Sequence, residues 1–257
     1  MPPRWLSDIL KEGQITTPIY GTNMVHQMVP DLMAAPMSVI SYWAEAETSL
    51  ALLLCRFLDA DIAIGVAMYG ALRGSESRYA VVLGAARQAL KTEDFNLLSA
   101  VISVTKASRD RRNEFAHHIW GVAPNEFPDH LFLVAPTDWI KHRATKPGKK
   151  VFRDLEELKP LREATLTNSE LSARHRKIMA QMWVDPQYVQ VFRKRDMAEE
   201  VKAAKEALQY MGWLNIVFNA EHPGAASMRA KLLDRPPIRL AFEKGANSKR
   251  SRQQGTS

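Results

Sequence analysis

The spacing of apolar side chains predicts a chain built mainly from helices. Through residues 36–121, apolar positions recur every three or four residues, which is the period of an amphipathic helix. We predict four helices in this stretch. The first covers about 37–58, the second covers DIAIGVAMYGAL, the third begins at Ser75, and the fourth runs from Thr92 to Gly121. Ser75 suits an N-terminal cap, and Gly121 suits a C-terminal stop.

Two short segments after the fourth helix have the composition of β-strands. HLFLVAP at 130–136 and YVQVFRK at 188–194 are rich in β-branched and aromatic residues, which favour strands. Between them, TNSE at 167–170 matches a capping box and predicts a helix to about 182. Asp196 predicts the start of a last long helix that ends at about 219. The predicted fold class is therefore mainly α, a helical bundle with a small β-hairpin insertion.

The same pattern divides the chain into three parts. Residues 1–34 are predicted as an N-terminal arm with one short helix. Residues 35–220 form the helical domain and contain the β insertion at about 130–194. Residues 221–257 are predicted as an irregular basic tail, since this stretch contains Pro236-Pro237 and ends in a basic run.

Composition narrows the class of protein. Apolar residues make up 46% of the 257 residues, which is enough for a buried core. The single cysteine, Cys55, excludes an internal disulfide and fits a reducing compartment. The sequence shows no signal peptide and no apolar run of membrane-spanning length. We therefore expect a soluble, cytoplasmic protein with no membrane partner.

Positive charge is concentrated in two runs. The formal net charge of the chain is +7, and residues 244–257 hold four basic residues and no acidic ones. A second basic run covers 141–153, and its Lys149, Lys150 and Arg153 are the predicted RNA-binding residues. Such runs favour a polyanionic partner. A solvated loop and a tail that binds nothing would have the same composition.

Two charged residues interrupt the apolar stripes of the first and fourth helices. Glu47 falls among the apolar positions of the first stripe, and Arg112 falls on that of the fourth. A buried charge is costly unless it is paired, so we predict a Glu47–Arg112 ion pair or a polar cleft. On an ideal helix His117 lies about 140° around from Arg112, and it is expected to point away from the stripe.

The stretch Arg112-Asn-Glu-Phe-Ala-His117 resembles the signature of the HEPN superfamily. That signature is an arginine, often followed by a polar residue, with a histidine four to six positions later, near the end of a late bundle helix. The first helix, with Trp43 and Glu47, resembles the acidic first helix of the family bundle. The resemblance covers about 36–121 well and extends loosely to about 220. It implies a HEPN-like helical bundle.

The resemblance also implies residue roles. Arg112 would contact the scissile phosphate of RNA, and Asn113 would support it. His117 would transfer protons, and Glu47 would orient Arg112. Family members that a nucleotidyltransferase modifies carry a tyrosine two places after the histidine, where this chain has Ile119. This departure puts that kind of regulation in doubt.

The register of the motif remains open between two neighbouring pairs. Arg111 and His118 are the alternative to Arg112 and His117, since the sequence places them directly beside the first pair. No metal ligand and no cofactor is expected with either pair.

Many HEPN members are metal-independent endoribonucleases that act as homodimers, and this is the function the resemblance implies here. RNA cleavage through the 2′-hydroxyl needs a base, an acid and a cation near the phosphorane. One histidine per chain favours a homodimer that supplies two. The expected partners are RNA, a second copy, and an antitoxin or regulatory protein in a toxin–antitoxin, antiviral defence or stress system.

Two other classes of function fit parts of the sequence. A non-catalytic helical scaffold, or an RNA- or protein-binding module, would share the fold and the ion pair. Glu114 and His117 have the Glu-x-x-His spacing of carboxylate di-iron bundles. That class needs two such motifs, and the sequence contains one.

Overall fold

The computed structural model describes residues 4–11, 18–144 and 184–254. The chain divides into two compact units. The sheet unit comprises Met1–Met37 and Asn113–Glu199, and the helical unit comprises Ser38–Arg112 and Glu200–Ser257. The predicted helix at 167–182 lies outside the described residues.

The sheet unit contains an antiparallel β-sheet. Its five described strands lie in the order β1-β5-β4-β3-β2, and every neighbouring pair is antiparallel. The strands are β1 (Arg4–Trp5), β2 (Ile19–Tyr20), β3 (Ile119–Ala123), β4 (Phe127–Val134) and β5 (Val189–Arg193). Helices α1 (Thr22–Met28) and α6 (Pro136–Ala144) belong to the same unit.

The described part of the helical unit consists of helices. They are α2 (Pro30–Phe57), α3 (Ile62–Ala71), α4 (Ser75–Ala89), α5 (Thr92–His117), α7 (Lys194–Val217), α8 (Ala225–Leu233) and α9 (Pro236–Gln254). The unit boundaries fall inside α2, α5 and α7. The prediction of a mainly helical chain is confirmed, and the two strands of the predicted β-hairpin belong to a larger antiparallel sheet of five described strands. No helix among the described residues is both long and apolar enough to cross a membrane.

Each unit has its own buried apolar residues. In the sheet unit, Leu6, Phe132 and Val189 are fully buried within one cluster. In the helical unit, Trp43 and Leu97 are fully buried, on α2 and α5. Trp43 and Leu97 follow the helical period of α2 and α5, because burial of one face selects that period. The last four residues of β4 are all buried, so this strand does not alternate between buried and exposed positions.

The segment predicted as an N-terminal arm contributes both edge strands of the sheet. β1 pairs with β5 through Arg4 and Trp5, and β2 pairs with β3 through Ile19 and Tyr20. The predicted boundary after residue 34 lies inside α2. Two-residue strands have no sequence period, so the pattern of apolar positions could not reveal them.

The fourth helix is shorter than predicted. It ends at His117, and Gly121 lies within β3. A Cβ at Gly121 would stand 2.5 Å from Cδ1 of Tyr20. The glycine therefore allows the tyrosine ring of the neighbouring strand to lie against the backbone, and it does not end a helix.

The C-terminal stretch predicted as irregular contains two helices, α8 and α9. Leu232 and Ile238 are fully buried, so both helices contribute to the core of the helical unit. The Pro236-Pro237 pair begins α9, where a missing N–H costs no helical hydrogen bond.

Candidate functional site

The residues of the predicted motif lie on the last turns of α5. The unit boundary falls between Arg112 and Asn113, so the arginines belong to the helical unit and His117 to the sheet unit. The helix continues without interruption from Thr92 to His117.

In the helical unit, Glu47 contacts two arginines. Its Oε1 lies 3.8 Å from Nη2 of Arg112, and its Oε2 lies 2.6 Å from Nη1 of Arg78. The carboxylate is mostly buried, with a side-chain exposure of 13%. The predicted contact between Glu47 and Arg112 is therefore present, but Arg78 on α4 is the closer partner.

The buried phenol of Tyr69 lies beside this group of charged side chains. The guanidinium of Arg78 lies over the Tyr69 ring, 5.2 Å from its centroid, and Tyr69 Oη has no hydrogen-bond partner in the part of the chain that the structure describes. Burial raises the pKa of Tyr69, and the Glu47 carboxylate adds to this rise, while Arg78 and Arg112 oppose it. Tyr69 therefore remains a neutral phenol near pH 7.

The most buried arginine of the motif region is Arg109, with a side-chain exposure of 4%, whereas Arg112 has an exposure of 21%. Nη2 of Arg109 lies 2.6 Å from Oε1 of Glu76 and 3.1 Å from Oδ1 of Asp110. Its guanidinium lies 4.5 Å from the centroid of the Tyr79 ring. Burial opposes the charge of Arg109, but the hydrogen bond to Asp110 and the nearby acidic groups raise its pKa overall.

Arg111 of the alternative register also has an acidic partner. Its Nε lies 3.3 Å from Oε1 of Glu200, and both side chains are largely buried. Arg109, Arg111 and Arg112 therefore each contact a carboxylate of the helical unit. Sequence reasoning identified Arg112 and Glu47 but missed Arg78, Arg109 and Tyr69. Arg109 follows Thr105 by four positions on the buried face, a spacing that could have indicated it.

The histidines of the motif differ in their surroundings within the sheet unit. His117 is exposed, as its position off the apolar stripe predicts, whereas His118 is partly buried. Burial lowers the pKa of His118, although Glu114 and Asp138 favour the charged form. His118 Nδ1 is buried and has no hydrogen-bond partner among the described residues. His118 is therefore mostly neutral at pH 7.

His130 is a second partly buried histidine, and sequence reasoning did not select it. Its ring centroid lies 5.3 Å from that of Phe127 and 6.5 Å from that of Phe132. Burial lowers the pKa of His130, and the positive charge of Arg193 lowers it further. The apolar run at 131–134 predicts the strand but gives no reason to select the histidine that precedes it.

A groove of about 340 Å³ lies between α5 and α9 in the helical unit. Its lining includes Asn96, Ser99 and Ser103 from α5, and Leu240 and Lys244 from α9. The nearest of these α5 residues precedes Arg112 by about 13 Å along the helix axis. The groove is therefore separate from the predicted site.

The predicted RNA-binding residues Lys149, Lys150 and Arg153 lie outside the described residues. Lys141, at the start of the same basic run, is described, and its Nζ lies 3.3 Å from Oδ1 of Asp138. Within the described ranges, no group of three or more His, Cys, Asp or Glu side chains is placed to hold a metal ion.

Comparison with known proteins gives no relative: no family model, no curated protein and no solved structure matches the chain.

Proposed function

We propose that the protein is a HEPN-like, metal-independent endoribonuclease in which Arg112 and His117 of α5 act on RNA. The contact of Arg112 with Glu47 carries this proposal. A carboxylate beside a guanidinium fixes the direction of its N–H donors, and a fixed donor stabilises a developing phosphorane charge better than a mobile one. In this scheme Glu47 is a positioning residue, and Asn113 supports the phosphate contact.

The reaction needs no group beyond those of the chain and the RNA. The 2′-oxygen attacks phosphorus while a neutral histidine removes its proton, and the bond from phosphorus to the 5′-oxygen breaks. A protonated histidine gives its proton to the leaving 5′-oxygen. The products are a 2′,3′-cyclic phosphate and a 5′-hydroxyl. Two histidines perform these two transfers, so the proposal includes a homodimer.

The proposal extends to regulation in a toxin–antitoxin, antiviral defence or stress system. An RNA-cleaving enzyme without a metal requirement would act on any accessible transcript, so an antitoxin or other regulatory protein would restrain it. The basic residues Lys149, Lys150 and Arg153 are proposed to contact the phosphate backbone, which supplies affinity without sequence preference.

RNA cleavage by the purified full chain in excess EDTA tests the mechanism. His117→Ala and Arg112→Lys should each lower the cleavage rate at least about 10²-fold, the usual contribution of a positioned proton-transfer or phosphate group. His26→Ala is the matched control, because His26 is also an exposed histidine of the sheet unit. Full activity of His117→Ala, or a requirement for a divalent metal, would exclude the mechanism.

The same assay decides between the two registers. If Arg111 and His118 are the active pair, His118→Gln and Arg111→Lys will abolish cleavage while His117→Ala will not. A thermal melt of each variant separates lost chemistry from lost folding, which matters most for Arg111 because its side chain is 11% exposed and pairs with Glu200.

The second candidate function is a non-catalytic RNA- or protein-binding module. The observation that favours it is that Arg109, Arg111 and Arg112 already contact Glu76, Glu200 and Glu47. Such contacts hold the bundle together and reduce the positive charge available for phosphate. RNA binding without any cleavage by the wild type would support this module and reject the enzyme.

A further inference from the structure

Helix α3 is exposed to solvent along most of its length, yet it carries no charged side chain. Of its ten residues, only Gly65 and Tyr69 are buried. The exposed positions are Ile62, Ala63, Ile64, Val66, Ala67, Met68, Gly70 and Ala71. A helix that is apolar all round is normally buried, and a large exposed apolar face marks an interaction surface.

The exposed side of α3 has small residues at its centre and large ones at its margins. On an ideal helix Ala63, Ala67 and Gly70 share one face. Ile62 and Val66 lie on one side of that face, and Ile64 and Met68 lie on the other. A Cβ at Gly70 would meet no atom within 4 Å. This shape allows the backbone of another helix to approach closely while the larger side chains pack around it.

Charged residues stand only at the two ends of this surface. Asp59 and Asp61 precede the helix, Arg73 follows it, and all three are exposed. If two copies of α3 packed antiparallel, the acidic end of each would face the basic end of the other. The dipoles of two antiparallel helices would also attract each other. A parallel arrangement would instead place like charges together.

We propose that α3 is a self-association surface, on which a second copy of the chain packs its own α3 antiparallel about a two-fold axis. The net charge of +7 disfavours close approach of two copies in general. The α3 surface avoids this repulsion because it has complementary charges at its ends and none between. An isologous contact of this kind closes at a dimer.

The size of the surface sets the expected strength of the dimer. Stable interfaces bury about 800 Å² on each partner, whereas α3 is only about 15 Å long. Leu58, 42% exposed, lies just before α3 in the sequence. Even with this residue added the contact is small, so the dimer should dissociate in the micromolar range.

The α3 surface differs from the stretch 109–121, through which the proposed two-histidine site would bring two copies together. A chain that used both contacts would form assemblies larger than a dimer. In the stretch 109–121, the large apolar residues Phe115 and Trp120 are buried within the chain, with exposures of 1% and 4%. The α3 proposal does not depend on ribonuclease activity, and assembly is measured without RNA.

Sedimentation equilibrium of the full chain over a wide concentration range tests the proposal. Ala67→Glu places a charge at the centre of the surface, and it should weaken dimerisation at least about tenfold, since an unpaired charge is strongly disfavoured in an interface. Glutamate is a good helix former and Ala67 is exposed, so the fold should persist. Ala107→Glu is the matched control, an exposed alanine inside α5.

A second variant tests whether the two copies of α3 pack antiparallel. Arg73→Glu should weaken the dimer, because the antiparallel contact would bring this residue to Asp59 and Asp61 of the other copy. An unchanged dimer in Arg73→Glu would overturn the antiparallel arrangement. A wild type that is monomeric at all concentrations, or an Ala67→Glu variant that dimerises as the wild type does, would overturn the surface itself. If the protein stays monomeric and binds phosphatidylcholine vesicles through α3, the partner of this surface is a lipid surface and not a second copy of the chain.

Discussion

Glu47 and Arg78 form a close ion pair in the helical unit, with 2.6 Å between Oε2 and Nη1. The two residues come from α2 and α4, so their contact joins helices that are separate in sequence. Arg112 approaches the other oxygen of the same carboxylate at 3.8 Å. Glu47 is therefore shared between a contact that holds two helices and the arginine proposed to bind phosphate.

Removing the charge of Glu47 should lower both stability and activity. Glu47→Gln leaves the guanidinium groups of Arg78 and Arg112 together without their shared counter-ion, and both are only partly exposed, at 25% and 21%. We expect a loss of about 1–3 kcal/mol in the free energy of unfolding, measured by urea denaturation. Arg78→Gln should lose stability by a similar amount but retain RNA cleavage, because Arg112 keeps its carboxylate. Equal loss of activity in both variants would contradict the positioning role of Glu47.

The two partly buried histidines predict a loss of stability in mild acid. Burial lowers the pKa of His118 and of His130 in the folded chain, whereas an unfolded histidine has a pKa of about 6.5. As the pH falls below the unfolded value, the unfolded state takes up protons that the folded state does not, and stability declines. Above that value the difference disappears.

Urea denaturation at a series of pH values measures this decline. His118→Gln and His130→Gln should each reduce the decrease in unfolding free energy below about pH 6.5, and the double variant should reduce it further. His26→Gln, at an exposed position, is the control. A pH dependence that is identical in wild type and double variant would show that other groups cause it.

The sequence predicted the long helices well, because a buried face repeats over several turns. The four helices predicted within 36–121 correspond to α2, α3, α4 and α5, and the strands predicted at 130–136 and 188–194 correspond to β4 and β5. β3 was missed because IWGVA is a short apolar run, and such a run does not distinguish a strand from the end of a helix. Only the pairing with β4 and β2 makes it a strand.

The sequence predicted those residues of the candidate site that the apolar stripe of a single helix reveals. The stripes on α2 and α5 led to Glu47 and Arg112, whose contact is present. Arg78 could not be predicted, since its position next to Glu47 depends on how α4 packs against α2. The greater burial of Arg109, at 4% exposed, likewise depends on Glu76 and Tyr79 of another helix.

The basic run at 141–153 should contribute non-specific affinity for RNA. Replacing Lys149, Lys150 and Arg153 with glutamine should weaken binding most at low salt. Each lost phosphate contact should reduce the slope of log affinity against log salt by about 0.7 for single-stranded RNA. Fluorescence anisotropy with a labelled oligonucleotide gives this slope. A triple variant with the wild-type slope would show that these residues do not contact phosphate.

Two glycines of α3 should respond oppositely to alanine. A Cβ at Gly65 would overlap Sγ of Cys55 and stand 3.1 Å from its Cβ and 3.2 Å from its Cα. Since Cys55 is buried, the two helices must separate slightly, and Gly65→Ala should cost about 1–3 kcal/mol. At Gly70 nothing lies within 4 Å of the new Cβ. Gly70→Ala should therefore stabilise the chain by about 0.4–1 kcal/mol through the higher helix propensity of alanine.

Thermal and urea denaturation of the two single variants measure this difference in sign. The double variant Gly65→Ala with Cys55→Ala should recover part of the loss, because removing the sulfur makes room for the new methyl group. Cys55→Ala alone is the control for the lost packing of the thiol. If Gly65→Ala is as stable as Gly70→Ala, then α3 does not pack closely on Cys55. In that case close packing against Cys55 would not explain why residue 65 is a glycine.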